Sequence, residues 1–559
     1  MKRWFALLLS MVMLLALFTA CGETTVEPTQ VPTTKEPTTQ APATASPTSQ
    51  PEETPLPREW VLPLTEEDVT LSWWFSENPS STAYMPDGIA SNTAFQHLQD
   101  ITGITLEFTS VLATKATEAF NIMVNSGDMC DIFSNPLTRY SYGADAAIQE
   151  EILMDISELL KKYAPNISYY MDTYDEYDKI MHTDNGGVAV IYTVFENNSG
   201  EGFGPAVRQD WLEDLNLESP NTYEDYYNVL TAFKTEKGAE GAFYLPSSNI
   251  PNYNFLVGGY GIAGYMKNST LPYFVEDGIV KFGYAEEGFR EYLTMINKWW
   301  EEGLIYKDYM TNTDWAAPFE DVGNGEVGIW YCQQAKIDYY EDYAIEDSFA
   351  VAPIQDAVKK DGDISHHGIG GLKCGSGSNN HLGLSATCKH PELAVKLVDY
   401  IFSEEGTILA NYGLEGQAWN YDSNGEIRLT ELILNNEEGM TPSLALYKYA
   451  FSGIPFVSNG KRLKDTYTDI SAKAMDVWAS NRDTEYLFPP YVSMTAAEST
   501  EHTQIMADIS TYCSENIAKF VVGDLPLSEF DAFVDTMYEQ GLQDCIDLKQ
   551  AAYDRAMKR

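Results

Sequence analysis

Positive charge is scarce in this chain, which has 35 lysines and arginines against 83 aspartates and glutamates and a net charge of −48. The acidic residues are scattered rather than gathered in blocks. A surface of this sign repels the phosphates of nucleic acids and the headgroups of anionic lipids. The composition therefore argues against nucleic-acid binding and against charge-driven docking on membranes. It is typical of a solvated surface that keeps an exported protein soluble.

Cysteine is also rare, and its seven positions include no C-x-x-C pair. This absence excludes a zinc ribbon and a thioredoxin-like redox motif. Six cysteines follow Cys21, and the pairs nearest in sequence are Cys374 with Cys388 and Cys513 with Cys545. Whether any of these six pair or remain buried thiols is left open by the sequence.

Motifs of catalysis are missing as well. The chain contains no G-x-S-x-G elbow, no P-loop and no H-E-x-x-H sequence, and its 83 acidic residues make a carboxylate pair uninformative. His366 and His367 are adjacent, so on a strand they would point to opposite faces and could not easily share a metal. We therefore predict no catalytic residue, no metal site and no cofactor, and we expect a protein that is not an enzyme.

Long apolar runs are absent after residue 20, so we expect a soluble body. The start of the chain has Lys2 and Arg3, then a mostly apolar run from Trp4 to Ala20, then Cys21. Two cations before a short apolar run predict a secretory signal peptide over residues 1–20. The small residues before Cys21 resemble the lipobox of bacterial lipoproteins, which implies a lipid on that cysteine. Cleavage of a plain signal peptide elsewhere is the alternative.

Aromatic residues are absent from residues 22–58, which consist mainly of Thr, Pro, Glu, Ser, Gln and Ala. Such a stretch cannot bury enough apolar surface to offset its ordering entropy. We predict that residues 21–58 are a lipid-anchored, disordered Thr/Pro-rich tether with a span of roughly 35 Å.

The body, residues 59–559, is too long for one compact core and predicts two lobes. Its first part alternates strands and helices: Val69–Phe75 and Ile104–Phe108 read as strands, and 93–102 and 117–126 as helices. This alternation predicts a parallel sheet with crossover helices. Such sheets bind ligands at the carboxyl ends of their strands, in loops such as Trp74–Pro79 and Gly127–Pro136.

A more specific pattern occupies the middle of the chain, at Val207–Leu217 and Pro220–Asp225. Asp210 is placed to cap a short helix, and Thr222 precedes Asp225 by three residues, as in a capping box. The pattern resembles the R-x-D-W-L-x-x-L-x-L-x-x-P-x-T block of the extracellular solute-binding lipoproteins of family 1, which serve carbohydrate ABC importers. Further blocks of that family recur in order at 122–132, 162–167, 390–416, 520–524 and 552–555.

The resemblance implies an α/β protein of the periplasmic-binding-protein-like (type II) fold, with two α/β lobes joined by a hinge and a ligand cleft between them. Lobe 1 is expected at about 59–195 and 330–400, and lobe 2 at about 200–325 and 400–559. Members of this family often carry a calcium loop after the helix that corresponds to the one predicted here through Tyr226–Phe233. Here residues 233–241 are shorter and contain two lysines, so no calcium is expected at that place.

The implied function is that of a receptor at the extracellular face of the cell membrane, held only by its lipid anchor. This receptor, a monomer, would capture a carbohydrate in the form of an oligosaccharide and deliver it to the permease subunits of an ABC importer. A surface lipoprotein that acts on glycans as an enzyme, or an adhesin, is the alternative. The identity of the sugar and of the permease is not written in the sequence.

Aromatic rings stack on the apolar faces of sugars, and charged or amide groups bind the hydroxyl rim. We therefore favour aromatic residues beside loop breaks, together with a few polar neighbours. Arg208 could instead form a salt bridge at the hinge, and Asp128 could stabilise its own turn. The predicted ligand-binding residues are Trp74, Phe75, Asp128, Arg208, Trp330, Tyr331, Glu415 and Trp419.

Overall fold

The structure is a computed structural model of the chain. It describes residues 59–77, 84–85, 87–140, 142–195, 202–245, 256–263, 273–311, 316–366, 372–374 and 380–559, without the side chains of residues 463–465. The predicted signal peptide, Cys21 and the predicted tether lie outside the described residues. None of the helices in this described part combines the length and the apolar character that a bilayer span requires.

The strands are short, apart from the first two. In chain order they are β1 (Val69–Glu77), β2 (Ile104–Leu112), β3 (Ile132–Ser134), β4 (Val190–Tyr192), β5 (Val194–Phe195), β6 (Phe203–Arg208), β7 (Tyr273–Glu276), β8 (Ile279–Phe282), β9 (Ile329–Gln333), β10 (Val351–Pro353), β11 (His381–Leu384), β12 (Trp419–Tyr421), β13 (Ile427–Leu429) and β14 (Val457–Ser458).

Helices account for most of the regular structure. In chain order they are α1 (Thr93–Thr102), α2 (Ala116–Ser126), α3 (Ala144–Gln149), α4 (Ser157–Tyr163), α5 (Pro165–Thr173), α6 (Asp175–Met181), α7 (Gln209–Asp214), α8 (Tyr223–Glu236), α9 (Glu287–Glu301), α10 (Phe319–Gly323), α11 (Pro391–Ile401), α12 (Glu404–Tyr412), α13 (Glu431–Leu434), α14 (Pro442–Tyr449), α15 (Gly460–Asp465), α16 (Asp469–Ala479), α17 (Ala496–Val522), α18 (Phe530–Glu539) and α19 (Leu542–Ala556).

Lobe 1 is built on a five-stranded sheet with the order β2-β1-β3-β11-β4. The alternation predicted for the first part of the chain is confirmed, because β1 pairs in parallel with both β2 and β3. The sheet is mixed rather than parallel throughout, since β11 inserts between β3 and β4 and runs antiparallel to both. A strand from late in the sequence therefore completes the sheet that the early strands begin.

Both faces of this sheet are covered, which explains the apolar run in β1. Trp73 packs edge-on against Phe95 of α1, with ring centroids 5.6 Å apart, whereas Trp74 packs against Phe120 of α2 at 5.5 Å. Successive side chains of a strand point to opposite faces, so these two neighbouring tryptophans pack against helices on opposite sides of the sheet. The helix α1 ends at Gly103, whose φ of 73° is the left-handed conformation that terminates helices.

Lobe 2 is centred on a three-stranded antiparallel sheet with the order β10-β6-β9. Neighbouring residues of β6 again separate two cores: Val207 packs with α8, α9 and α17, and Ala206 packs with Trp330 and Trp478. The predicted capping box is confirmed, since Thr222 and Asp225 exchange side-chain and backbone hydrogen bonds at the start of α8. Asp210 does not cap α7, which begins without a side-chain cap.

The packing corrects the lobe boundaries predicted from the sequence. Strands β9 and β10 pair with β6 and so place residues 329–353 in lobe 2. Residues 402–457 pack instead with lobe 1, where Phe402, Phe451 and Val457 join the core of the first sheet. Strand patterns report burial but not the sheet to which a strand belongs, and this limit explains the error.

Candidate functional site

Three segments of the chain cross side by side between the lobes. Strand β5 pairs in parallel with β14, through Val194 with Val457 and Phe195 with Ser458. Val194 also bridges to Cys374 on its other side, and the N–H of Phe195 donates to the carbonyl of Lys373 at 2.9 Å. These contacts bring residues 194–195, 373–374 and 457–458 together as the hinge.

The carboxyl end of β3 lies beside this hinge and is held by an exchange of hydrogen bonds. Asn135 has a φ of 55°, donates its backbone N–H to the carbonyl of His381 at 2.7 Å, and accepts the N–H of His381 on its side chain at 3.0 Å. Its amide also donates to the carbonyl of Gly453, just before β14. The loop after β3 is thereby fixed to the crossing segments.

The side chain of His381 supports the same loop. The backbone N–H of Leu137 donates to its Nε2 at 2.9 Å, so this nitrogen carries no proton. The ring is fully buried, lies 5.4 Å from the ring of Tyr192, and has no partner for Nδ1 within the described residues. Burial lowers the pKa of His381 to about 3, which keeps the imidazole neutral.

Arg139 follows this loop and carries a guanidinium group with spare donors. Its two terminal nitrogens lie 3.5 Å from the hydroxyls of Thr117 and Ser76, the long limit of a hydrogen bond. Its Nε is buried and has no partner in the part of the chain that the structure describes. A half-buried cation with weak internal bonds can donate to hydroxyl groups of a ligand.

An aromatic pair lies next to Arg139. Tyr140 is buried and meets Tyr142 edge-on, with ring centroids 5.4 Å apart. Tyr142 is 56% exposed, so its ring offers a free apolar surface three residues after Arg139 in the chain. This combination of an open ring and a donor is what a sugar requires.

Lobe 2 contributes polar groups where its own segments leave the hinge. Gln334 follows β9. Its side-chain amide N–H donates to the hydroxyl of Tyr467 at 3.1 Å, and its backbone N–H donates to the carbonyl of Gly202. Arg462 of α15, the helix after β14, lies 5.9 Å from the ring centroid of Phe456, a residue of the lobe 1 core, and its Nε lacks a partner among the described residues. We group these candidates from the two sides of the hinge, Ser76, Arg139, Tyr142, Gln334, Arg462 and Tyr467, under the name hinge-edge site.

The predicted aromatic ligands are not part of this site. All are buried with at most 4% of their surface exposed: Trp74, Phe75, Trp330, Tyr331 and Trp419. The Tyr331 hydroxyl donates to Asp356 at 2.8 Å, and the Trp419 indole donates to the carbonyl of Gly413 at 2.9 Å. Trp330 and Tyr331 lie in β9, which pairs with β6 within the sheet of lobe 2. Rings without an exposed face belong to the framework in this conformation.

Arg208 is likewise satisfied within lobe 2. It is fully buried and binds Asp210 at 2.6 Å and Glu346 at 3.0 Å. The rings of Trp211 and Phe349 flank its guanidinium at 4.3 and 4.4 Å. The salt bridge considered for this residue is present, but it joins parts of one lobe rather than crossing the hinge.

The two predicted carboxylates, Asp128 and Glu415, are exposed and lie apart from the hinge-edge site. Asp128 precedes β3, whereas the hinge contacts the end of that strand at Asn135. Glu415 lies in the loop before β12 and forms a bridge to Trp419. The loop predicted to carry ligand-binding residues, Gly127–Pro136, ends three residues before Arg139, which is not among the residues predicted from the sequence.

A groove of about 710 Å³ lies on lobe 2 between α8 and α9. Its tyrosine rings are already engaged: Tyr260 stacks on Tyr223 at 4.5 Å, and the ammonium of Lys298 lies 3.9 Å above Tyr227. Such rings offer less surface to a sugar than Tyr142 does. The groove is therefore a weaker candidate despite its size.

One group of potential metal ligands occurs among the described residues: His366, Asp483 and Glu485, with ligand atoms within 4.8 Å of one another. Asp483 already accepts hydrogen bonds from the His366 ring at 2.8 Å and from the N–H of Glu485 at 3.2 Å. The His366 ring also stacks on Tyr486, with centroids 4.0 Å apart. These internal bonds account for the cluster without an ion.

Two α/β lobes, three adjacent crossing segments and polar groups on both sides of them define a type II periplasmic-binding-protein-like receptor. Residues 85–408 match the bacterial extracellular solute-binding protein family, which is more than half of the chain. The chain belongs to this family, whose members are binding proteins found outside the cell.

Individual relatives agree over nearly the whole length. The fructooligosaccharide ABC transporter substrate-binding protein FusA of Streptococcus pneumoniae is 23% identical over 520 residues, which cover 88% of this chain and 91% of FusA. Lipoprotein LipO of Bacillus subtilis is 23% identical and covers 79% of this chain and 85% of its own. An HMO binding ABC-transporter associated solute binding protein from Bifidobacterium longum infantis has the same fold, with a TM-score of 0.69, 20% identity, and coverage of 88% and 99%.

Proposed function

We propose that this protein is an extracellular receptor that captures an oligosaccharide between its lobes and delivers it to an ABC importer. It acts as a monomer, is anchored at the outer face of the cell membrane through a lipid on Cys21, and catalyses no reaction. The family, the transport roles in the names of its relatives, and the lipoprotein relative support this proposal.

The observation that carries the proposal is the pair of arginines that flank the hinge. Arg139 of lobe 1 and Arg462, in the helix that follows the crossing strand β14, are each partly buried, and each has an Nε–H without a partner among the described residues. A buried donor without a partner costs about 1–3 kcal/mol, so an acceptor supplied by a ligand would recover that free energy. Sugar hydroxyls are acceptors of suitable size.

Binding between lobes also explains how selectivity arises. Closure of two lobes about a hinge removes water from the ligand, and each hydroxyl left without a partner then costs about 1–3 kcal/mol. The exposed ring of Tyr142 supplies the apolar face on which a pyranose or furanose can stack. The length of the oligosaccharide is set by the open part of the cleft.

The test is calorimetric titration of the protein with a panel of oligosaccharides, accompanied by product analysis. Arg139→Ala removes a charge-assisted donor worth about 1.5–3 kcal/mol, so affinity for the cognate sugar falls by about 10- to 150-fold. Arg428→Ala is the matched control, because Arg428 pairs with Asp422 on an exposed hairpin of lobe 1. Equal affinity of the two variants would contradict the assignment, and release of shortened glycans would indicate an enzyme.

A further inference from the structure

A network of charged side chains joins the two lobes away from the three crossing segments. Asp184 belongs to lobe 1, in the loop between α6 and β4. Its carboxylate accepts hydrogen bonds from Arg555 at 3.0 Å and from Arg559, whose Nε also lies at 3.0 Å. Arg555 is in the last turn of α19, which packs on α17 and β8 in lobe 2. Arg559 follows it by four residues.

Each arginine makes a second set of contacts that fixes its direction. Arg555 binds both carboxylate oxygens of Glu498, at 2.7 and 2.6 Å, and Glu498 belongs to α17 of lobe 2. Arg559 donates to the backbone carbonyls of Lys179 and His182, at 3.0 and 2.7 Å, and both residues lie in lobe 1. One arginine is therefore oriented by its own lobe, whereas the other extends onto the opposite lobe.

The network is electrically balanced and largely shielded from water. Two guanidinium groups face two carboxylates, and Asp184 and Arg559 are only 12% and 10% exposed at their side chains. Bidentate and partly buried pairs of this kind are screened less by salt than exposed pairs are. Other exposed ion pairs among the described residues, such as Asp422 with Arg428, lie within one lobe.

The segment before α17 adds to this contact. Tyr491 packs against the core of lobe 1, and the ammonium of Lys179 lies 5.7 Å from its ring centroid. The hydroxyl of Ser493 lies 3.3 Å from Arg559. Lobe 2 therefore touches lobe 1 through both residues 491–493 and the end of α19.

We propose that Asp184, Arg555, Arg559 and Glu498 form a latch that sets the angle between the lobes in the absence of ligand. The crossing segments can bend, but rotation about them must lengthen the bonds between Asp184 and the two arginines, because these groups lie on different lobes. The latch thus stabilises the described conformation relative to others, and a ligand that favours another angle must work against it. The latch itself does not depend on the nature of the ligand.

Small-angle X-ray scattering of the ligand-free protein tests this proposal. Asp184→Asn keeps the shape of the side chain and removes its charge, and Arg559→Gln removes the other partner. We expect both variants to shift the radius of gyration and the distance distribution in the same direction. The double variant should add little to either shift, because both changes break one network. The parent protein in 1 M NaCl should move part of the way towards the variants.

Arg428→Gln is the control, since it breaks an exposed pair inside lobe 1 and should leave the scattering unchanged. Thermal melting of each variant distinguishes a contact that sets the angle between the lobes from one that only stabilises the fold locally. A lower melting temperature with scattering that superimposes on that of the parent would overturn the proposal. Because no ligand is present, the scattering result is independent of whether the protein binds a sugar. The effect of the latch variants on ligand affinity is measured afterwards and should be a change of about 5-fold or more.

Discussion

Acidification should weaken lobe 1 through a single histidine. His381 accepts the N–H of Leu137 on Nε2 and is fully buried, so only the neutral ring fits the folded state. Burial lowers its pKa from the ordinary value of 6.5 to about 3. The unfolded chain therefore binds a proton between these values while the folded chain does not, and stability falls as the pH falls below 6.5.

The magnitude follows from the two pKa values. Each pH unit in this window costs about 1.4 kcal/mol, so the loss relative to neutral pH is about 2 kcal/mol at pH 5. Above pH 7 the contribution is fully present, and the slope disappears. The loop after β3 should respond first, since the bond from Leu137 holds the turn that precedes Arg139.

His381→Gln provides the comparison, because glutamine can accept the same N–H and does not titrate. Urea denaturation of parent and variant is measured at pH 7.5, 6 and 5. Between pH 7.5 and pH 5 the free energy of unfolding of the parent should fall by about 2 kcal/mol more than that of the variant. A difference that stays constant over this range would refute the assignment of acid sensitivity to His381.

Two further predictions concern packing away from the hinge. Asp399→Asn should lower the free energy of unfolding by about 2–4 kcal/mol in urea denaturation. One carboxylate oxygen of Asp399 accepts hydrogen bonds from both Trp60 at 3.0 Å and Asn166 at 2.8 Å, and an amide nitrogen in its place would face two donors. Gly204→Ala should cost about 1–3 kcal/mol, seen as a lower melting temperature, since the new methyl group would lie 2.3 Å from the ring of Trp478. A melting temperature equal to that of the parent would show that the indole can move aside.

Local structure was largely predictable from the sequence. The apolar run from Val69, the helix at 93–102 and the capping box at Thr222 are all observed, because each depends on residues close in the chain. The family and the fold were predictable for a different reason: the blocks around residues 207–225 and 390–416 have a characteristic order and spacing.

The site was much less predictable. Aromatic residues beside loop breaks, such as Trp330 and Trp419, turned out to be core, since the sequence does not show which face of a strand meets water. Arg139 and Arg462 stand out only through what they lack, namely partners for their Nε groups among the described residues. The lack of a hydrogen-bond partner depends on contacts between distant segments, and no local sequence pattern indicates it.

The position of β11 has a consequence for how this protein is made. Neither lobe is continuous in the chain, and the central gap between β3 and β4 is filled by residues 381–384, which follow most of lobe 2. The chain is synthesised from its N-terminus, and about two hundred residues separate β4 from β11. The first sheet therefore cannot be completed until these residues have been made. Long-range pairing of this kind slows folding and leaves strand edges open in the meantime. The same interleaving that creates the crossing segments therefore delays completion of the first sheet until much of the chain has been made.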